Sequence, residues 1–203
     1  PGVVRTMARM DVQWQALSHL FVSLFHPALV GELAYLLFVL KLGQPAPRDQ
    51  ELVVFGPAGL TDHLEALALA HGAYIRDPGF PVTVHELEAG ESWEKPEAGL
   101  RLLSRATPHT DRSMAVRIET DQGTVGYTGD TGPDAGLGPF FRGCDILIAE
   151  CSRPDGMELE THLTPGDLAE LAMQAEPKAL VPVHSYPSLD PSTIPQELQA
   201  AGF

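Results

Sequence analysis

Cysteine is nearly absent: Cys144 and Cys151 are the only two in 203 residues. That excludes a disulfide framework, and neither thiol stands in a CxxC or Cys/His finger spacing. A reduced, cytoplasmic setting follows, with both thiols read as small buried hydrophobes near a strand. Basic residues are also scarce, 13 Lys and Arg against 27 Asp and Glu, for a formal net charge of −14. A groove that follows a phosphate backbone needs Lys and Arg to displace counterions, so nucleic acid is not an expected partner. An acidic surface can still surround a local basic site or a metal ion. The opening PGVVRTMARM contains no apolar stretch of the kind a secretory leader carries. The longest apolar run, His19 to Leu40, has the length of a membrane span, but Pro27, Gly31 and Glu32 interrupt it. It reads as a buried strand followed by a helix, with no membrane partner.

What is plentiful is turn-forming residues, 19 Gly and 18 Pro, which join short elements. The length suits one α/β domain spanning 1–203. Residues 3–17 read as a short helix and a turn, HLFVSLF as a strand, and PALVGELAYLLFVLKL as a helix with Pro near its start. ELVVFG is a buried strand, and the following helix carries Leu60, Leu64, Leu67 and Ala68 on one face. From Val82 the pattern changes to short strands: VTVHELEAG, LRLLSRATPH, MAVRIET, TVGYTGD and CDILIAECS. THLTPGDLAELAMQA is a helix with Thr164 as N-cap and Pro165 in its first turn. ALVPVHSYP reads as another buried strand, and STIPQELQAAG as a terminal helix. Strands in both halves with helices between them predict an αβ/βα sandwich.

TVGYTGDTGP places the carboxylate of Asp130 at the end of a strand, on a loop that glycines allow to approach closely. His109 stands just before a strand and His184 at the end of one. Imidazoles and a carboxylate at strand ends are the nitrogen and oxygen ligands that a zinc-type site needs.

At these residues the chain resembles the metallo-β-lactamase superfamily, in its ribonuclease Z-like branch. The pieces that carry the resemblance are PHTDRSMAVRIE, YTGDTGP, ILIAECS, THLTPGDLAELA and LVPVHSYP, in the family's order and near its spacings; FGPAGLTDHLEAL adds to them. The resemblance implies a four-layer αβ/βα fold, and zinc or manganese ions that share a bridging aspartate. It also implies hydrolysis of a phosphodiester or another ester by a hydroxide held on the metal. It assigns His26 and His109 to one metal, His184 to the other and Asp130 to the bridge. It makes His162 the proton donor to the leaving group, oriented by Glu150. On the residues alone, the alternative is that His162 caps the helix at Thr161–Pro165 and Glu150 is solvated. His19, His63, His71 and His85 match no ligand position and read as structural or surface residues.

The departure from the family is concentrated. Where the family carries a run like SHxHPDHVGEL, this chain has SLFHPALVGEL, with Leu24, Ala28 and Leu29 at three ligand positions and only His26 retained. One metal thus loses an imidazole and the other loses two ligands, leaving one metal or none. This pattern resembles removal of a metal site or a natural pseudo-enzyme. PGVV resembles the tail of the family's opening hairpin, so the opening strands and a last C-terminal strand are expected to be missing. Exposed sheet edges would then favour self-association. The reading is a metal-dependent hydrolase scaffold with an impaired site, acting on a small ester or phosphodiester. Its alternatives are a catalytically inactive or engineered structural or binding module, and a mononuclear enzyme that uses the surviving ligands. His26, His109, Asp130 and His184 are expected to converge on one edge of the sandwich.

Overall fold

A computed structural model describes residues 2–203; Pro1, the first residue of PGVV, lies outside them. The chain divides into two compact units, residues 1–87 and 88–203.

The first unit holds α1 (Val3–Arg9), β1 (His19–Phe21), α2 (Pro27–Val30), α3 (Leu33–Leu42), β2 (Leu52–Pro57), α4 (Leu60–His71) and β3 (Val82–Leu87). Its sheet is parallel in the order β1-β2-β3. All six residues of the central strand β2 are buried, as expected of a parallel strand covered on both faces. β1 has one neighbour only, which leaves its three residues half-buried rather than buried. The single helix expected from Pro27 is two, because the chain turns at Gly31 and Glu32 before α3 begins. Leu36, Leu37 and Leu40 of α3 pack with Leu60 and Ala68 of α4 and with Leu52 and Val54 of β2. Leu64 and Leu67 are partly buried against that core, on the face the sequence assigns them. Arg48 is held inside this unit by the carbonyls of Gln15, Leu17 and Glu51. Among the described residues no helix is long and apolar enough to cross a membrane.

The second unit holds β4 (Ser92–Lys95), β5 (Leu100–Ala106), β6 (Met114–Thr120), β7 (Gly123–Tyr127), α5 (Leu137–Phe141), β8 (Ile146–Glu150), α6 (Pro165–Ala175), β9 (Ala179–Val183) and α7 (Ile194–Ala200). Its six-stranded sheet runs in that strand order, antiparallel from β4 to β7 and parallel from β7 to β9. α5 and α6 are the crossovers that parallel pairing requires. Thr164 caps α6 as the sequence predicts: its hydroxyl accepts from the Asp167 amide, while the Asp167 carboxylate accepts from the Thr164 amide. The core is built from Leu147 and Ala149 of β8, Leu168, Ala169 and Ala175 of α6, Leu137 and Phe141 of α5, and Ile194 of α7. Cys144 and Cys151 are buried, free thiols flanking β8. β9 corrects an expectation: read as buried, it is the last strand of the sheet, with Ala179 and Val181 exposed. Pro182 fits that position, because it has no N–H to offer a further strand.

Phe141 is fully buried against Leu147 and the α6 helix, so Phe141→Ala is expected to cost about 3–5 kcal/mol of unfolding free energy in urea titration.

Candidate active site

Three parallel strands deliver their chemistry at the same end of the second unit's sheet. Asp130 follows β7 by three residues, Glu150 is the last residue of β8, and His184 follows β9 directly. Carboxyl ends of parallel strands are where open α/β sheets place their sites, because loops there can diverge and leave a crevice. His109 arrives from the β5–β6 connection, whose β6 end lies beside the end of β7 (Val116 pairs with Tyr127).

Glycine and hydrogen bonds draw these loops together. A Cβ at Gly132 would overlap the backbone carbonyl of Glu160, so only glycine permits the 132 loop to meet the loop before His162. The Gly132 amide donates to the Pro108 carbonyl at 2.9 Å, and the Thr107 hydroxyl donates to the Asp130 carbonyl at 2.9 Å. On the other side, the Cys151 amide donates to the Val183 carbonyl and the Tyr186 amide to the Ser152 carbonyl. Between those two bonds His184 adopts φ of +65°, a left-handed conformation uncommon outside glycine.

At the centre, Asp130 is 2% exposed. Its Oδ2 lies 3.7 Å from His109 Nε2 and 3.4 Å from His184 Nε2. His109 Nδ1 donates to the Thr161 carbonyl at 2.8 Å, which fixes the ring with Nε2 directed toward the carboxylate. His184 Nε2 is buried and has no hydrogen-bond partner among the described residues. A carboxylate oxygen set between two imidazole nitrogens is stabilised by a proton or a cation shared with them. Two ligand atoms about 2.0–2.1 Å from a tetrahedral zinc stand roughly 3.3 Å apart, near the spacing seen here. Each imidazole with the Asp130 carboxylate thus forms a nitrogen–oxygen pair of the kind a divalent metal accepts, and the His109–Thr161 bond is the outer support such a ligand usually has.

Beside it lies a second pair. His162 Nδ1 is 2.9 Å from Glu150 Oε1, and both side chains are buried. Glu150 also accepts from the Thr131 amide at 2.7 Å, the Ser152 hydroxyl at 2.5 Å and the Leu163 amide at 3.2 Å. The solvated-Glu150 alternative is thus excluded, and Thr164, not His162, caps α6. Burial is the largest influence on Glu150 and pushes its carboxyl up to about 7 despite these donors. Burial, then the neighbouring His109, pushes the His162 imidazole below its ordinary value. Burial likewise raises Cys151 to about 12, so that thiol stays protonated and inert. The His162 ring sits 4.7 Å from His109 and 5.6 Å from His184, centroid to centroid.

In the first unit, His26 is exposed at the N-cap of α2, Leu24 is buried at 1% exposure, Ala28 is exposed and Leu29 half-buried. Hydrocarbon fills the interior at Leu24 only. His63 packs on Phe25 and His85 on Phe55, as structural residues do. Sequence reasoning missed Ser152, Tyr186, Thr131 and Gly132; only the glycine announced itself, by recurring two residues after Asp130.

A family model described as Beta-lactamase superfamily domain matches residues 39–185. The ribonuclease Z of Mycobacterium bovis is 25% identical over 210 residues, which cover 94% of this chain and 75% of that protein. Among solved structures, the metallo-beta-lactamase fold protein YhfI from Bacillus subtilis superposes with a TM-score of 0.79 at 17% identity, covering 98% of this chain and 77% of that one. Human tRNase Z, short form, gives a TM-score of 0.72 at 19% identity, with 91% and 78% covered. Both structures share the fold; at such identities they speak to nothing finer.

The raised Glu150 pKa has a consequence for stability. The protonated carboxyl contributes stability fully present below its ordinary 4.5 and lost as pH rises through about 7. His162, shifted downward, contributes with the opposite sign: its share is present above its ordinary value and is lost as pH falls. In EDTA-treated protein, Glu150→Gln should abolish a fall of at most about 3 kcal/mol between pH 4.5 and 8. Denaturant titrations of both proteins at several pH values measure it, and parallel pH profiles would refute it.

Proposed function

The chain belongs to the Beta-lactamase superfamily, in its ribonuclease Z-like branch, and on that footing we propose that it hydrolyses a phosphodiester or another ester with a divalent metal held at Asp130, whose carboxylate lies between the imidazoles of His109 and His184. One observation carries the reading: His109 Nε2 and His184 Nε2 both face the same buried oxygen of Asp130, the first fixed by its bond to Thr161. Imidazole nitrogens and a carboxylate are donors that zinc accepts, and manganese suits the same donors less tightly. When bound, the metal supplies Lewis acidity, polarising the ester and making an attacking water more acidic.

The protein's own groups do the rest. Asp130 keeps negative charge at the centre and offsets the metal's. His109 and His184 are fixed in orientation, one by the Thr161 carbonyl and the other by its left-handed backbone. His162 keeps its Nδ1 proton on Glu150 and presents Nε2 outward; protonated there, it gives that proton to the leaving oxygen. The proton travels one way and the bond to the leaving group breaks as it arrives. The net charge of −14 favours a small ester over a long nucleic acid. Two buried thiols without a disulfide support a cytoplasmic setting.

A second reading, a catalytically inactive module, is favoured by Leu24: a buried aliphatic side chain stands where the resemblance puts an imidazole. Both readings meet one test. EDTA-treated protein is titrated with zinc or manganese and assayed on bis-p-nitrophenyl phosphate. The proposal expects about one metal per chain, turnover that needs it, and loss of both in Asp130→Ala. His162→Ala should keep the metal and lose about 10²–10⁴-fold in kcat. Metal bound without turnover would establish the inactive module instead.

A further inference from the structure

Arg153 differs from the other half-buried arginines. Arg105 is pinned to the Asp134 carboxylate and Arg117 to Glu119, each through its guanidinium. Arg153 instead lies with its guanidinium over the ring of Tyr186, 5.2 Å from the centroid; its buried Nε, like that of Arg105, has no hydrogen-bond partner among the described residues. Stacking uses the face of a guanidinium and leaves its N–H edge, the part that matches a phosphate or carboxylate, unspent. The Tyr186 ring is in turn part of the active site: it stands edge-on to His162 at 5.6 Å and tilted against His184 at 5.4 Å. Its backbone is tied to Ser152, next to Arg153, by the bond from the Tyr186 amide to the Ser152 carbonyl. The arginine is therefore held on a short, braced hairpin of two loops, beside the histidine that faces the leaving group. Its charge is felt there, because Arg153 helps to disfavour the charged form of His162.

We propose that Arg153, braced on Tyr186, is an anion-binding arm that grips phosphate oxygens of the substrate on its leaving-group side. The inference rests on the hydrolase reading for the word substrate, but the anion site is defined without it. In a chain of net charge −14, a guanidinium with no carboxylate ion pair among the described residues suits a ligand that brings its own negative charge. The ligand class is an ester that bears phosphate; a neutral ester gains nothing from the arm. Arg153 thus selects among esters, and Tyr186 is its positioning residue.

The test separates this arm from the metal. Inorganic phosphate is titrated into EDTA-treated wild type, Arg153→Ala, Arg153→Lys and Tyr186→Leu, followed by NMR shifts of the imidazole protons, with thermal melts to confirm folding. Wild type should bind; Arg153→Ala should weaken affinity about tenfold, and Arg153→Lys less, because Lys keeps the charge but loses the fork. Tyr186→Leu should fall between. In metal-loaded protein, Arg153→Ala should raise KM for bis-p-nitrophenyl phosphate about tenfold, and its loss of kcat/KM on that diester should exceed any change on the neutral p-nitrophenyl acetate. Wild type that binds no phosphate, or Arg153→Ala that binds it as tightly, overturns the arm. Arg153-dependent phosphate binding without turnover under any metal would leave the arm standing and remove the hydrolase reading. Diester turnover indifferent to Arg153 would do the reverse.

Discussion

A carboxylate taken out of water must be surrounded by donors, and the second unit is organised around one that is. Glu150 collects an amide from the β7 loop, an amide and an imidazole from the loop before α6, and a hydroxyl from its own loop. Each of these donors would be a buried, unsatisfied group if the carboxylate were absent, at about 1–3 kcal/mol apiece. The loops that carry Asp130, His162 and Ser152 therefore have one arrangement that satisfies all of them. Desolvation opposes the charge even so, which is why the carboxyl remains poised near neutrality. The geometry that presents His162 follows from this knot more than from local preference.

Around it the site is assembled by backbone contacts. Gly132 lets two loops touch, Thr107 ties the His109 loop to Asp130, and Tyr186 ties the β9 exit to the β8 exit. Such a scaffold holds the side chains at the loop ends through many shared small bonds, so their orientation is set by the fold itself. The same ties place the Tyr186 ring beside His162, and the Arg153 guanidinium stacks on that ring.

Much of this was legible in the chain. The α6 cap was written in Thr164-Pro165, β2 in an unbroken apolar run, and the acidic centre in Gly-Asp-Thr-Gly. Pairing of His162 with Glu150 followed from the family resemblance, and the geometry supports it. What stayed hidden depended on position in three dimensions. β9 reads as buried because its residues are apolar, yet strand order puts it at an edge, where only Pro182 hinted at the truth. β4 was missed because SWEK is polar and pairs on one side only. Ser152 and Tyr186 carry no motif; their roles arise from two backbone bonds between loops remote in sequence. Of the three apolar residues at the family's ligand positions, Leu24 is interior whereas Ala28 faces solvent, a distinction that position in the fold makes and composition cannot.

The left-handed backbone at His184 also bears on how this position can change over time. A φ of +65° admits glycine freely and Asn, Asp and His at modest cost, while β-branched side chains are strongly disfavoured. Of the residues that this peptide geometry tolerates, three carry nitrogen or oxygen donors. Drift at this position is thereby channelled: it either stays within side chains that can hold an ion or empties to glycine. The three apolar positions in the first unit are under no such filter, since none of them has a positive φ. Backbone handedness leaves those positions open to any side chain, whereas at His184 it favours glycine or the donor-bearing Asn, Asp and His.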